Sequence, residues 1–354
     1  MGTVKRSTQR NVLLDLVKLI AACFIVFGHV HIQGIFGEIE DCTTRFTIPI
    51  FTAVSGYFSL GINDTKILQR AKGILKYLII TLVIYGGWSF VETILLHGSI
   101  PGFIINSFGP RTLFAFFVFN VPPFSEHLWW LIAMVECYIL FWMYERFSKV
   151  CGKEKTDYTI WYLVSFILFF FHAVLGGFGY IGDLNVGMRV YRNMWFFLLP
   201  MFSLGLFIRQ YFDQIVEAFN VTARKCVVVI IIGFAASYTQ FFCFGKPELP
   251  LGYVAVTIAI FFFTFLVSSS VIPEGSTLYK LDGFINHSSL MIYIIHPLYM
   301  YIIQSAAFDV PFFKYLCSRK LVEGVVILAI TFLTAIVTYI VKIAFSSRKN
   351  VKNS

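Results

Sequence analysis

Charge is scarce in this sequence. Lys, Arg, Asp and Glu make up 13% of its 354 residues, while 58% are hydrophobic. Ordinary soluble domains carry about 25% charge, so with a mean hydropathy of +0.78 a water-soluble fold is excluded. Paired cysteines are also missing. Cys23, Cys42, Cys137, Cys151, Cys226, Cys243 and Cys317 are scattered, odd in number and form no CxxC. Neither a zinc site nor a disulfide framework is indicated, and helix packing is the expected use of most of them. There is no Walker loop, Rossmann fingerprint, GxSxG elbow or metal-ligand cluster, so the chemistries that carry those signatures have no support here. No soluble domain, low-complexity tract or repeat interrupts the chain.

What the chain has is long apolar runs. They fall near residues 12–33, 46–61, 74–97, 128–146, 159–177, 193–210, 225–244, 250–271, 286–306 and 321–344. A helix needs about 20 apolar residues to cross a bilayer. The expected fold is all-α: a polytopic transmembrane helix bundle of about ten spans. A single domain is expected over residues 1–354, with cytoplasmic tails at 1–10 and 346–354. The run at 46–61 is short. The stretch Ile104–Val121, broken by Arg111, either lies in the interface or re-enters the membrane. The 41 Phe and 18 Tyr suit lipid contact and interfacial belts. The first run is too long for a signal peptide and has no small-residue cleavage site, so it is expected to stay as an anchor.

The net charge of +9 does not point to nucleic acid, because Lys and Arg follow the topology. Lys5, Arg6 and Arg10, the Lys66–Lys76 stretch, Arg146–Lys155, Arg209–Lys225, Lys280 and Lys342–Lys352 carry most of them and are assigned to the cytoplasm. Arg45, Arg111, Arg189, Arg192, Lys246, Lys314, Arg319 and Lys320 fall on the other side, as do the acidic Glu38, Glu40 and Asp41. Both termini are then cytoplasmic.

The chain is organised around its first run, Asn11 to Gln33, which holds Asp15, Lys18, His29 and His31 among apolar neighbours. Such groups are costly in lipid and normally face a bundle interior or a watery cavity. Lys18 and His29 are eleven residues apart, which is three turns plus about 20°, with a rise of about 16 Å. Asp15 lies one turn before Lys18. One helix face therefore presents a carboxylate, an ammonium and, in the outer half, an imidazole. Two readings follow. Either this is a polar seam between helices, with Lys18 paired to Asp15, or it is a site where imidazole serves as a base near neutral pH.

Asp15-x-x-Lys18 followed by His29 resembles the first-helix signature of the acyltransferase family 3 membrane proteins, an Arg or Lys preceding an essential His. Three further segments are similar to that family's motifs and occur in its order. Ile48–Phe58, IPIFTAVSGYF, resembles PxFFxxSGY; His127–Leu131, HLWWL, resembles HLWFL; Ser289–Pro297, SLMIYIIHP, resembles SYxIYLxHP. The resemblance runs from about Asn11 to the last run, with residues 150–270 matched mainly by hydropathy. It implies transfer of an acyl group, usually acetyl, to a hydroxyl of a carbohydrate or other surface molecule. Acetyl-CoA or another acyl-CoA is the donor substrate, no cofactor is permanently bound, and the setting is a bacterial plasma or inner membrane. The catalytic candidates are His29, Asp15, Lys18 and Glu136, with His29 activating the acceptor hydroxyl. Direct attack and a covalent or relayed acetyl both stay open.

Polyanionic CoA needs cations at the cytoplasmic mouth, and Lys66, Arg70, Lys72 and Lys76 lead into the third run. Family members carry an Arg-x-x-Arg-like pattern there. Here Arg70-x-x-Gly73 departs from it, and Lys72 or Lys76 stands in without the forked guanidinium; positive-inside anchoring also accounts for these residues. Lys18 continues the cationic path inward. Ser55 either contacts the acyl group or belongs to close helix packing around Gly56.

On the outer side His127 and Trp129 form an interfacial belt, or they line the acceptor entrance, where an indole face stacks on a sugar. Glu136 lies two and a half turns deeper, to pair with a cation or orient the histidine; Glu92 is a weaker parallel. His172, Arg189 and Arg192 flank an outer loop, solvated or facing an anionic polymer. Tyr293 and His296 share a face with Ser289, and Pro297 should kink that helix. His296 is a second proton-transfer group or a structural hydrogen-bonding residue. The competing class is a transporter or small-molecule sensing domain without acyl transfer, though the inverted repeats common in transporters are not evident. Expected partners are acyl-CoA, a carbohydrate acceptor, the lipid bilayer and separate envelope-synthesis proteins, and no nucleic acid.

Overall fold

The structure, a computed structural model, describes residues 11–152, 156–177, 187–271, 276–307 and 310–352. Among the described residues there is no strand, and the expected all-α polytopic bundle is what forms. In chain order the helices are α1 Val12–Val30, α2 Gly34–Thr44, α3 Thr47–Tyr57, α4 Asp64–Leu95, α5 Ile100–Phe108, α6 Pro110–Phe119, α7 Trp129–Val150, α8 Thr159–His172, α9 Met188–Tyr191, α10 Leu199–Phe219, α11 Ala223–Phe244, α12 Gly252–Val271, α13 Thr277–Lys280, α14 Asp282–Ala306, α15 Pro311–Ser318 and α16 Lys320–Lys352. Wide turns at Ala173–Gly177 and Met194–Leu198 extend α8 and precede α10.

Local chemistry sets many helix starts. Asn11, Asn63 and Ser99 accept a backbone N–H with their side chains ahead of α1, α4 and α5, which satisfies donors that have no partner inside the helix. Proline sits in the first turn of α5, α6, α10 and α15, where its missing N–H costs nothing.

Nine stretches among the described residues are long and apolar enough to span a membrane. Three expectations change. The run at 250–271 is not among the nine, its described apolar helix counting only over Gly252–Ser268. The second run folds only as the eleven-residue α3, about 16 Å long, because a turn after α2 and the left-handed Gly61 close it at both ends. The ambiguous 104–121 stretch falls, up to Phe119, in one of the nine, Ile100–Phe119, and is broken into α5 and α6 where Gly109 turns extended ahead of Pro110. The described chain divides into two contact-dense units.

The first unit contains residues 11–47, 221–230 and 258–352. Here α1, α14 and α16 pack on one another, with α2 against α1 and α15 against α14 and α16. Ala21, Ala22 and Val26 of α1 are fully buried. Gly324 of α16 lies so close to α1 that a β-carbon there would come within 2.7 Å of the Phe27 ring.

The second unit contains residues 48–220 and 231–257. In it α4 packs on α7 and α5, and α8 on α10. Most of α7 is buried. α3 and α10 touch backbone to backbone, since a β-carbon at Gly56 would lie 1.9 Å from the Phe202 carbonyl oxygen, and one at Gly205 1.9 Å from that of Ala53.

Candidate functional site

In the first unit α1 and α14 are joined by two polar rungs. Asn11 caps α1 and takes the Asp15 N–H on its carbonyl at 3.0 Å, which starts the helix one turn before Asp15. Lys18 pairs with the Asp15 carboxylate, and the two side chains are 12% and 10% exposed. Its ammonium also donates to Asn286 Oδ1 at 2.5 Å. The charge is thus held by an ion pair and a neutral amide, which is what burial of an ammonium demands.

The second rung is a pair of imidazoles, His29 and His296, with ring centres 5.1 Å apart and planes tilted by 38°. Residue numbers rise together from the first rung to the second, so α1 and α14 run parallel, with the rungs about 15–16 Å apart. His29 is half-buried, one residue before the end of α1.

His296 is fully buried, and its Nδ1 lies 2.8 Å from the Ile292 carbonyl one turn back. A carbonyl can only accept, so Nδ1 carries the hydrogen and Nε2 keeps the lone pair of the neutral ring. Pro297 follows inside the helix and withholds the amide hydrogen that Tyr293 C=O would otherwise receive. Tyr293 and Ser289 are buried on the same helix, and Ser289 Oγ donates to Asn286 C=O at 3.0 Å.

The second unit holds the other candidates. His127 is 6% exposed, with Ser125 Oγ 2.5 Å from its Nδ1 and Tyr85 edge-on at 5.1 Å. Trp129, also 6% exposed, is covered by the Arg192 guanidinium at 5.4 Å and by the parallel Phe197 ring at 5.8 Å. Both side chains are therefore packed among protein neighbours, with two groups lying against the Trp129 indole.

Arg192 also faces Glu248 at 3.7 Å. Arg189 meets Glu126 at 3.5 Å on the exposed surface, a pairing worth little in energy. His172 is fully buried, stacked on Phe197 at 4.9 Å with Nδ1 3.0 Å from Tyr191 C=O.

Glu136 accepts from Asn120 Nδ2 at 2.7 Å, and Asn120 Oδ1 accepts from the Met194 N–H at 2.8 Å. The backbone amide fixes which end of the Asn120 side chain faces Glu136. Asn120 ends α6 at φ +55°, a conformation asparagine tolerates better than most residues.

At the start of α4, Lys66, Lys72 and Lys76 are exposed. Arg70 instead donates to Phe58 C=O at 2.8 Å and Ser59 Oγ at 3.2 Å, closing the end of α3. Ser55 Oγ bonds to Phe51 C=O of its own helix at 3.0 Å. Arg209 lies over Tyr57 at 5.2 Å and donates to its hydroxyl at 3.2 Å.

The sequence reading missed Asn286, Asn120 and Glu323, the last fully buried and paired with Lys320 at 2.7 Å. Asn120 alone had a local signal, as an asparagine placed to end a helix.

The fold and the polar α1–α14 seam define a multi-pass membrane protein with titratable groups inside its bundle. The chain matches the family model of the acyltransferase domain over residues 11–343. It belongs to acyltransferase family 3 and is a membrane acyltransferase. No curated protein and no solved structure matches it.

Proposed function

We propose that this protein is an O-acetyltransferase that moves acetyl from cytosolic acetyl-CoA to a hydroxyl of a cell-surface or exported carbohydrate, with His29 as the base. The observation that carries the reading is the half-buried His29 imidazole, three turns beyond the Asp15–Lys18 pair on one membrane-spanning helix.

The chemistry needs little more than this. The acceptor O–H gives its proton to a neutral ring nitrogen of His29, and the oxygen attacks the thioester carbonyl. The C–S bond then breaks, and the thiolate of CoA takes the proton back from the imidazolium. Glu136, held by Asn120, remains a second carboxylate for the acceptor side. Tyr293 is a candidate acceptor contact. The exposed Lys66, Lys72 and Lys76 are suited to the phosphates of CoA, with Arg70 shaping the α3 end beside them. A bacterial plasma membrane is the natural setting, with envelope-synthesis proteins supplying the acceptor.

The test is acetyl transfer from labelled acetyl-CoA by the purified protein in lipid nanodiscs. His29→Ala should abolish transfer while inserting and eluting like the parent. Undiminished transfer by that variant overturns the assignment.

A further inference from the structure

We propose that His296 is a positioning residue for His29, holding its ring and accepting a hydrogen from it when it becomes an imidazolium. The proposal rests on the reading of His29 as the base.

Three observations converge on it. First, the spacing fits. The ring centres stand 5.1 Å apart with planes tilted by 38°, so the two imidazoles are in contact and a turn of the His29 ring brings a nitrogen of each toward the roughly 2.7–3.2 Å of a hydrogen bond. Second, the tautomer fits. The Ile292 carbonyl takes the Nδ1–H of His296, which leaves Nε2 as the acceptor. Third, the mounting is rigid. His296 is fully buried, tied to its own helix turn, and followed by Pro297. The Lys18–Asn286 rung below holds the same two helices in register.

In the reaction, one nitrogen of His29 receives the acceptor proton and later returns it to the departing thiolate. While the ring is charged, its other N–H is donated to His296 Nε2. No proton is gained or lost by the pair over the cycle. His296 thus does for His29 what an orienting carboxylate does in a nucleophile–histidine–acid arrangement. It adds no fixed negative charge to a membrane interior.

Four variants in nanodiscs test this, each assayed for kcat and for KM toward acetyl-CoA. His296→Phe, which keeps a ring but no acceptor, should lower kcat by about 10²-fold and leave KM within about twofold. His296→Gln, whose amide oxygen can accept, should recover at least about tenfold of that loss. The His29→Ala/His296→Phe double variant should be no slower than His29→Ala alone, as for residues that act as one unit. In ¹⁵N-histidine spectra of the parent protein, the His296 signal should be that of the Nδ1–H tautomer.

Unchanged kcat in His296→Phe beside a dead His29→Ala overturns this inference and leaves the function standing. Equal slowness of the Phe and Gln variants also overturns it. An active His29→Ala removes both. If His296→Phe does not fold, the Gln variant and the tautomer decide, and an Nε2–H tautomer overturns the proposal.

Discussion

Alanine at Gly205 should force apart two helices whose backbones touch. The added β-carbon would lie 1.9 Å from Ala53 O and 2.7 Å from Tyr57 N. An ordinary carbon–oxygen contact is roughly 3.3 Å, so α3 and α10 must separate by about 1.4 Å. The obstacles are backbone atoms of a helix, so no side-chain rotation relieves them. Overpacking of this kind costs about 1–3 kcal/mol, and the separation also thins the dispersion contacts on either side. Gly56→Ala meets Phe202 O at the same 1.9 Å and should behave alike. Gly73 is the control: it lies in α4 with nothing within 4 Å of a β-carbon, and alanine is favoured in a helix interior by about 1 kcal/mol. Melting in detergent, followed by loss of the monodisperse peak, should place both crossing variants several degrees below the parent and Gly73→Ala at or above it. The double crossing variant should lose less than the sum, since one separation relieves both clashes. Gly205→Ala melting together with Gly73→Ala would refute the contact.

Three further outcomes are expected. Asp15→Asn strips the counter-charge from a buried ammonium and should cost about 3–5 kcal/mol, whereas Asp15→Asn with Lys18→Met should melt closer to the parent; additive losses would contradict the pairing. Asn120→Ala removes the partners of Glu136 and the Met194 N–H and places alanine at φ +55°, for a loss of about 2–4 kcal/mol. Asn120→Gly, free of the strain, should lose less, and equal losses would show that the left-handed backbone is not at issue. The third concerns Glu40 in α2, outside the candidate spans, where burial and then the charge of Asp41 push the carboxyl up from 4.5 to about 8. Between those values the folded chain keeps a proton that the unfolded chain releases, so this group's contribution to stability falls as pH rises. Glu40→Gln should melt with the parent near pH 4 and above it at pH 8, and parallel curves across the range would exclude the effect.

Local chemistry was legible from one end of the chain to the other. Hydropathy located most of the spans, and the shared face of Lys18 and His29 follows from 3.6 residues per turn. The family motifs pointed to the α1 residues and to His296. What was not legible is what a neighbour in space decides. For Trp129 a belt position and a stacking platform both stood open, and the structure lays Arg192 and Phe197 against its ring. For Arg70 CoA binding and positive-inside anchoring both stood open, and the structure adds a third use, closing the end of α3. The 46–61 run had the composition of a span, but turns at both ends shortened it.

Sequence by itself determined which segments are helices, which are apolar enough for lipid, and which side chains share a face. Each of these depends on residues within a few turns of one another. Tertiary structure alone decided that Lys18 meets Asn286, 268 residues away, and that His29 meets His296 in a parallel helix pair. Those meetings depend on which small residues let which helices approach, and on the register in which they lock. Packing sets that register across the whole bundle, and no short stretch of chain encodes it.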